Sequence, residues 1–463
     1  MTFKAKLTIA LSVAAILHGI YNFFLPLHPD EAYYWLWSRY IDWSYYDHPA
    51  MIAWMIRMLS FFGNSEGSVR LATVLCISGA GYALSMLSYR ISGERAGWLT
   101  FIVFSVLPAT TFGYTIVTPD SPLMLFWCLA LYWGYLAIAG DGNRYFILTG
   151  AAVALMITSK YTAVLFPAAV FLYILLFDRK LLRNKYTWIA CSIGACGVLP
   201  ILIWNIQYDF ISVKFQYAHG TSDTFDILWK EFFTFLAGIQ LLPTPIFAFI
   251  MYKASFYFKG YRNKTWWKYL LTLFLAPTLF FLYKGLFTKM ELNWPIIGFL
   301  SAIPMMAVYV ADGHHRRLFK FGAIFAGILT IILMCMPFLP LPDNINIALR
   351  LAGNRESVEE LKKVMIVNYN TRFFSDHLTN ASIMTYYLDG HPKVYIPTKT
   401  RYSQFDIWDT GADYSSMEGY YMGTSDKGSE LEEIFGAVEL VKRFPTGSPT
   451  RPRYFYIWEV RPD

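Results

Sequence analysis

Apolar stretches of about 15–21 residues recur near 8–25, 69–88, 97–115, 121–139, 145–160, 161–177, 188–205, 231–251, 269–283, 294–310 and 321–338. Each approaches the length a helix needs to cross a bilayer core, so the pattern predicts about eleven transmembrane helices. The first run follows Lys4 and Lys6 as in a signal peptide. No small-residue cleavage site precedes Pro26, however, and the run reads as an uncleaved first span. The loop 26–68 is rich in aromatic residues. Its apolar positions fall at helical spacing (Trp35, Trp37, Tyr40, then Met51, Trp54, Met55, Met58), which predicts one or two amphipathic helices lying in the membrane interface. The runs 145–160 and 161–177 are short and meet at Ser159-Lys160-Tyr161, which puts a lysine at or just inside a membrane face.

Beyond residue 340 the pattern changes. Ser357–Met365 and Leu378–Leu388 read as helices; Arg372–Ser375, Val394–Pro397, Ala437–Phe444 and Arg453–Val460 read as strands. The Gly/Ser-rich stretch 411–429 reads as a loop. The expected organisation is a membrane domain over 1–340, with 26–68 as its first outer loop, and a small soluble α/β domain over 341–463.

Composition agrees with a membrane protein. The chain is 56% hydrophobic and 15% charged, whereas soluble chains carry about 25% charged residues. Disorder, collagen, coiled coil and disulfide scaffolds are excluded on the same numbers. Charge placement then orients the spans. With a cytoplasmic N-terminus, the connections 1–7, 89–96, 140–145, 178–187, 252–268 and 311–320 are cytoplasmic and hold 17 Lys/Arg in 58 residues. The opposite loops hold 7 in about 90, an asymmetry of the positive-inside kind. The 341–463 domain then faces the periplasm. No nucleic-acid stripe is present, and the five cysteines fall in apolar runs, with neither disulfide nor metal cluster suggested.

Ionisable groups near hydrocarbon are costly and mark function by default. On the predicted outer face they form a short set: His28-Pro29-Asp30-Glu31, Asp42 with Tyr46-Asp47-His48, Thr118-Pro119-Asp120, Lys160, and the 284–293 loop with Lys289, Glu291 and Asn293. A carboxylate and cations at a lipid interface suit group transfer from a lipid phosphate. The carboxylate takes a proton from the acceptor hydroxyl, and cations hold the departing phosphate. One base then suffices for a single inverting displacement.

Asp30-Glu31 after the first span, the aromatic loop, the TPDSPL turn, SKYTAV and ELNWP together resemble the bacterial branch of the protein O-mannosyltransferase-like glycosyltransferases of the GT-C superfamily, which includes the lipid A aminoarabinose transferase. The resemblance covers residues 1–310 and implies a GT-C fold. It implies an inverting transferase of the bacterial inner membrane, acting at its periplasmic face. The donor would be a polyprenyl-phosphate sugar. The acceptor would be lipid A or another lipopolysaccharide part, a cell-wall glycan or a protein. By the same resemblance Asp30 and Asp120 are the catalytic carboxylates and Lys160 holds the donor phosphate. Arg39 and Arg57 are further candidates for the phosphate, and Glu31, Tyr46, His48, Glu291 and Asn293 for sugar or acceptor. No cofactor is implied, and a divalent metal is left open.

Plainer roles stand beside these. Asp30 and Asp120 each suit a helix N-cap. Lys160, Arg39 and Arg57 can snorkel to lipid headgroups. His28 and His48 suit loop hydrogen bonding. The other functional readings are a lipid-linked sugar flippase, which wants more mid-membrane charge than these spans carry, a metal-dependent phosphoethanolamine-type transferase, and a non-catalytic receptor.

Overall fold

The computed structural model describes residues 1–220, 226–339, 341–342, 346, 348–398, 401–447 and 452–462. Two compact units emerge: residues 1–20, 42–55 and 70–333 form one, and 21–41, 56–69 and 334–463 the other.

The first unit is helical. Across the described residues six helices are long and apolar enough to cross a membrane: Phe3–Asn22, Glu66–Val106, Asp120–Ile138, Lys185–Gln207, Thr265–Gly285 and Arg316–Phe338. Shorter apolar helices cover Met51–Phe62, Arg144–Ile157, Tyr161–Phe177 and Ile296–Ala311. The expected connection at 89–96 appears as a kink in the second long helix, at Ser92 and Gly93. Gly93 sits at φ +80, a conformation that glycine adopts without strain. The expected span 231–251 is instead two helices, Trp229–Gly238 and Pro245–Ser255. Pro243 and Pro245 flank Thr244, whose φ of 63 breaks the path, and proline supplies no backbone donor to carry a helix through.

The core of this unit is built on Ile296–Ala311, which is buried from Ile297 through Val310. It packs on Leu71–Val106, Pro245–Ser255 and Thr265–Gly285. Trp127, Phe166, Tyr173 and Tyr269 fill the space beside it. Helices Arg144–Ile157 and Lys185–Gln207 approach so closely that a Cβ on Gly150 would meet the Ala190 carbonyl at 2.6 Å. Small residues at such crossings are what let backbones touch where no hydrophobic drive brings helices together.

The second unit holds a five-stranded sheet of β1 (Arg372–Ser375), β2 (Val394–Tyr395), β3 (Gly419–Gly423), β4 (Ala437–Gly447) and β5 (Pro452–Arg461). The order is β2-β1-β3-β5-β4; β1 runs parallel to both neighbours, and β5 antiparallel to β3 and β4. Four of these strands and the helices Asn354–Val364 and Leu378–Tyr387 agree with the sequence pattern. The stretch 411–429 does not: it contains the central strand β3 and the start of helix Gly428–Phe435. β3 reads Gly-Tyr-Tyr-Met-Gly and is buried throughout, so it has no alternation to betray it. Phe374, Tyr421, Leu431, Phe435 and Val460 form the sheet's core.

Candidate functional site

Each unit carries one group of the expected residues. In the first, Asp120 is the opening residue of helix Asp120–Ile138, where the helix dipole favours a carboxylate. The expected capping role is absent: Pro119 occupies the N-cap, and no side chain caps this end. The Asp120 carboxylate faces Lys160 instead. Lys160 Nζ lies 2.8 Å from Asp120 Oδ1 and 2.9 Å from Oδ2, and Asn293 Nδ2 donates to Oδ2 at 3.1 Å.

Lys160 reaches this position because the chain is extended there, at φ −159, ψ 145, between helix Arg144–Ile157 and the 3-10 turn Tyr161–Val164. The residue is 6% exposed, so it does not snorkel into open water. Its ammonium lies 5.8 Å from the Trp294 ring centre. An ammonium has three donors. Asp120 engages two of them.

Lys160 also lines a cavity of about 140 Å³ shared with His48, Lys284, Lys289, Gln216, Thr288 and the rings of Phe280, Phe281 and Trp294. Three lysines stand in that wall beside an apolar surface, one of them paired with Asp120. The sequence pattern singles out Glu291 and Asn293 of this loop. Glu291 is exposed and outside the wall, and Asn293 bonds Asp120. Lys289, named in the sequence among the outer-face groups, stands in the wall, and so does Lys284, which the sequence marked only as the start of that loop.

Two other outer-loop candidates are structural here. Asp42 accepts from Trp43 N at 2.7 Å and Trp204 Nε1 at 2.9 Å, tying the 42–55 segment to helix Val198–Gln207. Tyr46 is buried with its ring 4.7 Å from that of Phe215.

The second unit carries Asp30. Helix Pro29–Arg39 is capped by His28, not by Asp30: His28 Nδ1 accepts from Asp30 N at 3.2 Å, and Glu31 Oε2 accepts from His28 N at 2.8 Å. This reciprocal capping box fully buries Glu31 and makes it a structural carboxylate. The Asp30 side chain is left 48% exposed, and its carboxylate lies 3.6 Å from His28 Nδ1. That nitrogen also accepts the Asp30 backbone N–H.

The aromatic residues of this helix are core rather than a lipid-facing belt. Trp35 and Trp37 are 1% and 0% exposed. Trp35 meets Tyr386 and His391 edge-on, and Tyr33 stacks on Phe405 while its hydroxyl accepts from Gln404 N at 3.0 Å. Arg39 is exposed, 5.6 Å from the Trp35 ring centre, and Arg57 is exposed on its own helix, Met51–Leu59.

His377, passed over in the sequence, caps helix Leu378–Tyr387 and lies close enough to Asp30 to feel its charge. Burial holds its imidazole below the usual histidine range; Asp376 opposes this, Arg401 adds to it, and Asp30 opposes it again. A base so depressed binds its proton more weakly folded than unfolded. The unit is therefore most stable above the ordinary histidine value near 6.5 and loses stability as pH falls below it. Thermal melts at pH 7.5 and 5.5 should show that loss, and it should shrink in His377→Asn, which can still cap the helix. An equal loss in the variant would assign the effect elsewhere. Among the described residues no three His, Cys, Asp or Glu side chains are grouped as a metal ion requires.

Residues 47–204 match the family described as dolichyl-phosphate-mannose-protein mannosyltransferase. The lipid A galacturonosyltransferase RgtD of Rhizobium johnstonii is 26% identical over 286 residues, which are 61% of this chain. The match spans 60% of the length of that relative. The undecaprenyl phosphate-alpha-4-amino-4-deoxy-L-arabinose arabinosyl transferase of Shewanella sediminis is 24% identical over 380 residues, 73% of this chain and 68% of its own. Among solved structures, ArnT from Cupriavidus metallidurans in the apo state superposes with a TM-score of 0.70 at 14% identity, covering 99% of this chain and 98% of that one. Its complex with undecaprenyl phosphate gives 0.67 at 14% identity, covering 98% and 97%. The fold is that of ArnT. The sequence relatives are named as transferases of galacturonic acid and of aminoarabinose, and the resemblance read from Asp30-Glu31, TPDSPL and SKYTAV is borne out.

Proposed function

We propose that this protein is an inverting glycosyltransferase that moves a sugar from a polyprenyl-phosphate donor to a glycolipid of the lipid A type. The observation that carries the reading is the Lys160 ammonium, held by Asp120, which Asn293 bonds in turn, with a third donor left for an anion and with Lys284 and Lys289 in the same wall. A phosphate fits that charge, and the rings of Phe280, Phe281 and Trp294 fit the apolar chain beside it. Both curated relatives support the substrate class: one is named for lipid A, the other for an undecaprenyl-phosphate sugar.

In this reading Asp30 removes the proton from the acceptor hydroxyl as its oxygen attacks the anomeric carbon. The bond from that carbon to the phosphate oxygen breaks on the opposite side. The lysines take up the charge that grows on the departing phosphate. One displacement inverts the anomeric centre. The chain would sit in a bacterial inner membrane as a multi-pass protein. Its N-terminus would be cytoplasmic, and the site and residues 341–463 periplasmic.

The test is a transfer assay in lipid nanodiscs with undecaprenyl phosphate carrying galacturonic acid or aminoarabinose, and lipid A as acceptor, read by mass spectrometry. The expected result is lipid A heavier by one sugar residue, with an equal amount of free undecaprenyl phosphate. Donor that crosses the bilayer with its sugar still attached would replace this reading with the flippase.

A further inference from the structure

The larger cavity of the first unit is elsewhere. It has a volume of about 360 Å³, within the range of ligand pockets, and lies between helices Arg144–Ile157, Leu165–Phe177, Lys185–Ala195 and Thr265–Gly285. Its walls are apolar, running from Ile157 and Phe166, at the Lys160 end of their helices, to Leu181, Leu182 and Trp188 around the turn Arg179–Arg183. No charged side chain lines it. Phe171, Trp188 and Cys191 in its wall are exposed, so the space opens outward from the helices. A dry, open slot of this kind in a membrane-spanning bundle holds a hydrocarbon chain.

The end at Leu181 and Leu182 is where the charge changes. These leucines belong to the 3-10 turn Arg179–Arg183, which interleaves them with Arg179, Lys180 and Arg183. Trp188 Nε1 donates to the Leu182 carbonyl at 2.9 Å and fixes the turn over the slot. Phe146, in the wall, begins one residue after Tyr145, over which Arg144 stacks at 4.9 Å; Lys185 stacks over Tyr186 at 5.3 Å, and Lys268 over Phe177 at 5.5 Å. Among the described residues no ion pair joins any of these six cations to a carboxylate. An apolar slot thus ends at a collar of six cations against the single carboxylate of Asp178, which opens the same turn.

We infer that this cavity binds one anionic phospholipid, with an acyl chain in the slot and its phosphate on the Arg179–Lys185 collar. The net positive charge fits an anionic headgroup. The volume suits a fatty-acyl chain and is far too small for a polyprenyl tail of many isoprene units. The collar also lies at the opposite end of helix Arg144–Ile157 from Lys160, about 20 Å away at 1.5 Å per residue. A lipid held here would brace the helix that ends at Lys160 without entering the cavity where Lys160 stands.

Native mass spectrometry tests this on the whole protein. The detergent-purified chain is offered equal amounts of phosphatidylglycerol, phosphatidylethanolamine with the same acyl chains, and undecaprenyl phosphate. One phosphatidylglycerol should be retained at least about tenfold over phosphatidylethanolamine. Ala195→Trp, which puts an indole into the slot from an exposed wall position, should abolish that retention. Arg179→Gln, Lys180→Gln and Arg183→Gln combined should erase the preference between headgroups while an acyl chain still binds. Undecaprenyl phosphate retention, read in the same spectra, should survive all of these changes and so reports that the variants are folded. Equal retention of the two phospholipids by the unmodified protein, or phosphatidylglycerol unaffected by Ala195→Trp, would overturn the inference. So would undecaprenyl phosphate lost on Ala195→Trp, which would give the slot to the carrier.

Discussion

Lys160→Ala lowers turnover by about a hundredfold to a thousandfold, the loss expected when one preorganised donor to a developing anion is removed. It also destabilises the fold, because Asp120 is then left with Asn293 as its bonded partner in a largely buried place. Removing one member of a buried ion pair costs about 3–5 kcal/mol. The two effects separate in the double substitution Lys160→Met with Asp120→Asn. Neutralising both partners should recover most of the melting temperature and none of the turnover. If turnover returns with stability, the pair is a structural strut and the phosphate is held elsewhere.

Asp30→Asn should behave differently, with kcat down by about a hundredfold to ten-thousandfold as a general base is lost. KM and melting temperature should stay near those of the parent. The reason lies in the cap. His28 and Glu31 complete the start of helix Pro29–Arg39 between them, so the half-exposed Asp30 carboxylate is free of structural duty. Glu31→Ala is the contrast: it strips the cap and leaves a buried backbone N–H unpaired, so it should lower stability. An Asp30→Asn enzyme within tenfold of the parent would remove Asp30 from the chemistry.

The chemistry was more legible in the sequence than the scaffolding. Asp120, Lys160 and Asn293 can be picked out because charge and amide groups beside hydrocarbon have few bland explanations, and the structure brings these three into contact. The plainer role offered to Asp30, the N-cap, falls instead to a histidine ring nitrogen, which nothing in the local pattern announces. Trp35 and Trp37 looked like interface anchors because helical spacing shows which face is apolar and not what covers it. β3 was lost among glycines and serines, its five residues too short and too evenly buried to alternate. The shared wall was hidden for a different reason: Lys160 and Lys289, both named in the sequence, meet Lys284 there only through tertiary packing, which no local pattern encodes.

The capped helix that carries Asp30 leaves the ribosome long before the helix it packs against, Leu378–Tyr387. Throughout the insertion of everything between, Trp35 and Trp37 have none of that core to bury against. The proposed base is therefore anchored only once translation has passed the sheet domain, and a nascent chain carries its chemistry unassembled until then.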